Sequence, residues 1–150
     1  MALSVDLFPY TAVLRLLDLG GARTSRKPLA VRLRSAVREG LPFSAFESVA
    51  TQIGLPPLQL TALLGIPNRT MARRKTEQQL TPQESDRLFR LARSFAQVVE
   101  VLGSRDKARV WLRTPNRALG GEIPLDLLDT EIGSRQVEEV LFRLEHGIFS

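Results

Sequence analysis

The sequence predicts an all-α protein, and three observations carry that prediction. Apolar residues recur at helical spacing in one segment after another. Gly and Pro punctuate the segments, Ser or Thr stands at several of their starts, and no stretch alternates as a half-buried strand would. A helix-turn-helix unit followed by a C-terminal helical unit is the expected architecture, with a boundary near residue 103.

Residues 1–40 are the least patterned and read as a partly helical arm with freedom to move. After Pro28, Leu29, Leu33 and Val37 keep one face while Arg32, Arg34 and Arg38 take the other, which predicts a short basic helix ending at Gly40. Ser44 followed by Glu47 has capping-box spacing, and Phe43, Phe46, Val49, Ala50 and Ile53 then hold one face. Gly54 stops that helix. A short apolar helix over 58–64 follows Pro56 and Pro57 and closes at Gly65, and a polar, basic helix starts at Pro67 or Asn68. Thr81, Pro82 and Glu84 open a longer helix striped by Leu88, Leu91, Ala92, Phe95, Val99 and Leu102. Gly103 ends it, and Ser104 caps a helix carrying Ala108, Trp111 and Leu112. Residues 115–125 then mix turn formers with Leu119, Ile123 and Leu125 and are expected to pack as a loop. The last helix is predicted to start after Gly133 and Ser134, to bury Val137, Val140, Leu141 and Leu144, and to stop at Gly147.

Composition removes whole classes of function. The 150 residues contain no cysteine and one histidine, which excludes disulfides, thiolate metal sites and cysteine nucleophiles and leaves little for a Ser-His hydrolase. No metal, no cofactor and no enzymatic activity are therefore expected. No apolar run approaches the roughly 20 residues that span a bilayer, and no secretory leader is evident, so the expected location is cytoplasmic. The net charge is +5, distributed as +4 over residues 1–40, +2 over 41–103 and −1 over 104–150. Most of the cations are arginine, which suits planar contacts to anions. A basic front and a faintly acidic back suggest two surfaces with different partners, nucleic acid being the first candidate.

The short apolar helix, glycine turn and basic helix are how a helix-turn-helix is written in sequence. Its second helix would enter a DNA major groove, with Asn68, Arg69 and Thr70 at base edges and Arg73, Arg74 and Lys75 on the backbone. The alternative is that 73–75 is a charged helix end completing the macrodipole. Asp126, Asp129 and Glu131 form an acidic cluster without the spacing of a calcium loop, and His146 sits near a helix C-terminus where a cation is favoured.

Residues 41–150 resemble the Xre/MbcA/ParS antitoxins encoded beside RES-domain toxins. The matching motifs are Gly65-Ile66-Pro67-Asn68-Arg69-Thr70, Arg73-Arg74-Lys75, Leu80-Thr81-Pro82, Trp111-Leu112 with Thr114-Pro115-Asn116, Leu119-Gly120-Gly121, Pro124-Leu125-Asp126-Leu127-Leu128 and Glu145-His146-Gly147. His146 departs from the pattern, standing where the family carries an aromatic residue, usually tyrosine. The resemblance implies a homodimer that binds operator DNA and represses its own operon, and that blocks the active site of an NAD-depleting RES-domain toxin. It implies a toxin-binding surface of Asn116, Leu119, Gly120, Gly121, Pro124, Leu125, His146, Gly147, Ile148, Phe149 and Ser150, with the four terminal residues as the plug. A stand-alone helix-turn-helix regulator, whose C-terminal half only dimerises or senses a ligand, is the alternative.

Overall fold

The computed structural model describes residues 10–20 and 26–147. Among them there is no strand, only isolated bridges pairing Pro42 with Gln79 and Asn116 with Glu122. The helices in chain order are α1 (Tyr10–Leu16), α2 (Leu29–Glu39), α3 (Phe43–Ile53), α4 (Pro57–Leu63), α5 (Asn68–Glu77), α6 (Pro82–Leu102), α7 (Arg105–Arg113), a 3-10 turn (Arg117–Leu119), α8 (Pro124–Leu127) and α9 (Glu131–His146). None of the described helices is long and apolar enough to cross a membrane.

The 21-residue α6 is the spine, because its sequence makes it both well started and apolar on more than one side. Thr81 accepts from the Glu84 backbone while the Glu84 carboxylate accepts from the Thr81 backbone, so two N–H groups that the first turn leaves unpaired are satisfied together. Leu88, Leu91, Ala92, Phe95 and Val98 are then buried along its length. Helices α1, α2, α3, α7 and α9 all pack against α6, so a single apolar cluster runs through the molecule. Val98 is fully buried, whereas Val99 and Leu102, expected in the stripe, are half-buried. The stripe bends around the helix because neighbours lie on two sides of it.

The expected loose arm is a packed one over its described residues. Val13 and Leu17 are 0% exposed and Leu33 is 2% exposed, so α1 and α2 seal the core beside α6. Gln52 of α3 donates its amide to the Arg15 and Leu16 carbonyls, which satisfies the free end of α1. The Ser44–Glu47 capping box does not form. Helix α3 starts two residues earlier, with Pro42 at the cap position, and its first N–H is taken by the Gln78 carbonyl at 3.1 Å. This backbone clasp, with Leu80 N–H on Leu41 O at 2.9 Å, replaces a side-chain cap. The same close approach makes Gly40 obligatory, since a Cβ there would meet the Leu80 carbonyl oxygen at 2.4 Å.

The second half also departs from expectation at one start. Helix α9 begins at Glu131, capped by Thr130, whose hydroxyl accepts from the Gly133 N–H at 3.0 Å. Gly133 and Ser134 are buried inside the helix rather than ahead of it. A Cβ on Gly133 would lie 1.8 Å from the Leu127 carbonyl oxygen, so the glycine is there for close approach to α8. Trp111 is half-buried against the cluster, whereas Ala108 and Leu112 of the same helix are fully buried in it. Arg109 donates to the Gln52 carbonyl at 2.6 and 2.9 Å and Arg113 donates to the Gly54 carbonyl. Two of the arginines thus cap the end of α3.

Candidate functional site

Helices α4 and α5 meet at the turn around Gly65, and α5 presents a polar outer face. Met71, 6% exposed, marks the inner face, and the helical repeat places Thr70 and Arg74 beside it. The outer face carries Asn68, Ala72 and Lys75 on one flank and Arg69, Arg73 and Thr76 on the other, all exposed. The six residues singled out in the sequence therefore divide. Asn68, Arg69, Arg73 and Lys75 point to solvent, Thr70 is half-buried, and the Arg74 side chain is only 12% exposed. Ala72 and Thr76, which the sequence reading passed over, are exposed on the two flanks of the outer face. Their signal was present: with about 3.6 residues per turn, Ala72 and Thr76 lie about 100° and 140° round the helix from the buried Met71, off its inner face.

Arg74 is withdrawn from the surface by Glu84. Its Nε donates to Glu84 Oε1 at 2.7 Å, and Glu77 accepts from Nη1 at 3.4 Å. Burial pushes the Glu84 pKa up, but the Arg74 hydrogen bond and the Thr81 backbone N–H outweigh it and hold the carboxyl below its ordinary value. The arginine is raised in turn by the same pairing. Arg74 is the pin that fixes α5 to the start of α6, and its charge is already spent inside the fold.

One face of α6 continues this line of ties at three-residue steps. Arg87 donates to the Leu64 carbonyl at 3.2 Å, just before the Gly65 turn. Arg90 pairs with Glu131 at 3.4 Å and Arg93 with Glu138 at 3.5 Å, both on α9. The acidic cluster is accordingly divided, with Glu131 committed to Arg90 and Arg135 while Asp126 and Asp129 are exposed.

The C-terminal candidates split in the same manner. Leu119 and Leu125 are 8% and 3% exposed and Pro124 is buried, so these three belong to the core and cannot be the outer surface. Asn116 caps the 3-10 turn through Oδ1, accepting from the Ala118 N–H at 2.9 Å. Gly120 and Gly121 are exposed on its rim. On α9, Ile132, Arg135, Glu139, Phe142 and His146 form one exposed stripe opposite the core-facing Val137, Val140 and Leu141. Ile132 is 77% and Phe142 55% exposed. The His146 ring stacks on Phe142 at 4.1 Å between centroids, and its Nδ1 lies 2.8 Å from the Phe142 carbonyl oxygen. Leu144, expected inside, is 37% exposed. Ile132 and Phe142 were missed by the sequence reading, although apolar residues lying off the core stripe of α9 were the signal. Gly147 caps α9 and is exposed, whereas Ile148, Phe149 and Ser150 lie outside the described residues.

Two family descriptions match this chain: the antitoxin Xre-like helix-turn-helix domain over residues 32–93 and the antitoxin Xre/MbcA/ParS C-terminal toxin-binding domain over residues 97–147. An antitoxin Xre of Yersinia enterocolitica is 34% identical over 120 residues, 79% of this chain and 81% of that protein. The chain belongs to the Xre/MbcA/ParS antitoxins. An antitoxin Xre of Photorhabdus laumondii is 32% identical over the same shares. A Sphingobium protein named Prs ADP-ribosylating antitoxin is 37% identical over 82 residues, 49% of this chain and 52% of its own. In this antitoxin α4 and α5 fall in the DNA-binding part and α7 to α9 in the toxin-binding part. The division falls inside α6, which serves both. The chain is thus a toxin-neutralising antitoxin carrying a helix-turn-helix.

Proposed function

We propose that this antitoxin silences a RES-domain toxin encoded beside it by covering the active site through which that toxin depletes NAD. We also propose that it acts as a homodimer on operator DNA to repress its own operon. The observation that carries the reading is the separation of two unlike exposed faces on one core. The α5 face is cationic, with Arg69 and Lys75 in no ion pair among the described residues and Arg73 paired only at the surface with Glu77. The α9 stripe is apolar at Ile132 and Phe142, with mixed charge between them. A cationic helix face suits phosphate and base edges, whereas exposed aromatic and aliphatic anchors suit a protein partner.

On this reading Asn68, Arg69, Arg73 and Lys75 contact DNA, and Thr70 and Arg74 hold the helix in place. Phe142 and His146, with Gly147 and residues 148–150 beyond them, meet the toxin, and Asn116, Gly120 and Gly121 form the neighbouring edge. Leu119, Pro124 and Leu125 support that edge from beneath. The name of the Sphingobium relative, which joins antitoxin to ADP-ribosylation, supports an NAD-consuming target. Both partners would be met in the cytoplasm, and the antitoxin itself would be no enzyme.

The test is co-expression with the protein encoded next door, with growth, cellular NAD and co-purification read together. Rescued growth, restored NAD and a stable complex are expected. Absence of toxicity and of a complex would overturn the toxin reading, and failure to bind the upstream DNA would overturn the repressor reading.

A further inference from the structure

Leu58 is 69% exposed near the start of α4, where a polar residue would cost the core nothing. It stands on a groove of about 250 Å³ between α3, α4 and α5. Phe46 lies on the α3 wall, Ala72 on the α5 wall, and Asn68 and Lys75 on the same α5 wall bring hydrogen-bonding and cationic groups to the opening. Asn68, Ala72 and Lys75 are also one flank of the outer face of α5. The groove is therefore continuous with the surface that the preceding reading assigns to DNA.

Three properties define what fits it. The occupant has an apolar projection for Leu58 and Ala72, a donor-acceptor edge for Asn68, and belongs to a polyanion that Lys75 and Arg69 attract. Phosphate itself is disfavoured in the groove, because Glu47 lies on the α3 wall. In a major groove the C5-methyl of thymine is the apolar projection, and it shares the edge of the A·T pair with the adenine N6 and N7 atoms that asparagine pairs bidentately, thymine O4 lying between N6 and the methyl.

We propose that Leu58 and Ala72 form an apolar reader for the thymine methyl of an A·T pair whose adenine is held by Asn68. The proposal rests on the operator-binding reading and adds a specificity residue from the first helix of the unit, outside α5. Burying one methyl contributes about 0.8 kcal/mol, so its removal should weaken binding about fourfold.

The experiment uses the full chain and a duplex selected by it from a random-sequence library. Each thymine in the selected site is replaced in turn by uracil, which deletes only the methyl, and Kd is measured for the wild type, Leu58→Ala and the remote surface variant Val110→Ala. One or two positions should show a loss of about fourfold in the wild type and in Val110→Ala. At those positions Leu58→Ala should bind thymine and uracil DNA alike, at the level of the wild type on uracil. Equal binding to thymine and uracil DNA by the wild type overturns the proposal while leaving DNA binding intact. A uracil penalty that persists in Leu58→Ala overturns it too, because the methyl is then read elsewhere. If Leu58→Ala instead changes self-association measured by sedimentation and leaves the uracil penalty unchanged, the groove seats a second copy and the thymine reader is wrong. No binding to any duplex overturns the operator reading itself.

Discussion

Glu84 is a carboxylate 7% exposed that caps one helix and pins another, and both tasks need it ionised. Its native pKa lies below the ordinary 4.5, so the unfolded chain binds the proton more readily. The stabilisation is therefore complete above that ordinary value and disappears as pH falls through the native value. Urea unfolding should show Glu84→Gln less stable than the wild type at pH 7, with the gap closing below about pH 4.5. Arg74→Ala should cost about 2 kcal/mol at pH 7, because it strips a charge-assisted hydrogen bond from a buried carboxylate. A cost under about 0.5 kcal/mol would mean that Arg74 is free for DNA after all. Gly133→Ala should cost about 3 kcal/mol in the same assay, since the new Cβ collides with backbone and only a shift of α8 against α9 relieves it.

The two functional faces are properties of elements. On α5, Arg73→Ala should weaken operator binding across sequences and lower the slope of log K against log salt by about one, whereas Arg69→Ala should cost about 1–3 kcal/mol of binding and relax base preference at one position, neither altering the thermal midpoint. On α9, Phe142→Ser should weaken toxin binding by about 2 kcal/mol, roughly thirtyfold, in a titration that leaves DNA binding unchanged. The elements were legible in the sequence wherever a local signal set them. Thr81 and Ser104 cap where the sequence placed them, and Gly54 and Gly147 stop their helices in left-handed conformations. The misread starts have non-local causes. Helix α3 is begun by a clasp with residues 78–80, which Ser44 and Glu47 do not reveal, and Gly133 reads as a breaker until Leu127 is seen above it. Arg74 resembled Arg73 in sequence, and only the fold brings Glu84 to one and not the other. The stripe of α9 was read as core at Leu144 and missed at Phe142, because exposure at a helix end depends on where its neighbours stop.

At the scale of the whole molecule, the chain has one core and two outward tasks. Phe95, Ala96 and Val98 are buried where the two family regions meet, so a chain ending at residue 96 would lose the final turns of α6 from beneath α1, and one starting at 97 would lose the support of α9. Neither fragment should give a cooperative thermal transition by circular dichroism, whereas the intact chain should melt in one step; two independently melting fragments would contradict a shared core. The point variants of α5 and α9 separate the activities where truncation cannot.

The shared spine also bears on how such a molecule changes partners over generations. A recombination event that joined the front of one gene to the back of another between residues 93 and 97 would graft two half-helices whose buried sides were shaped for different neighbours. The hybrid would have to match Phe95 and Val98 to an unfamiliar surround, and most such crosses would be lost at folding before any toxin was met. New specificities should therefore accumulate as substitutions on the exposed side of α9, where Ile132, Phe142 and His146 can vary without disturbing the spine.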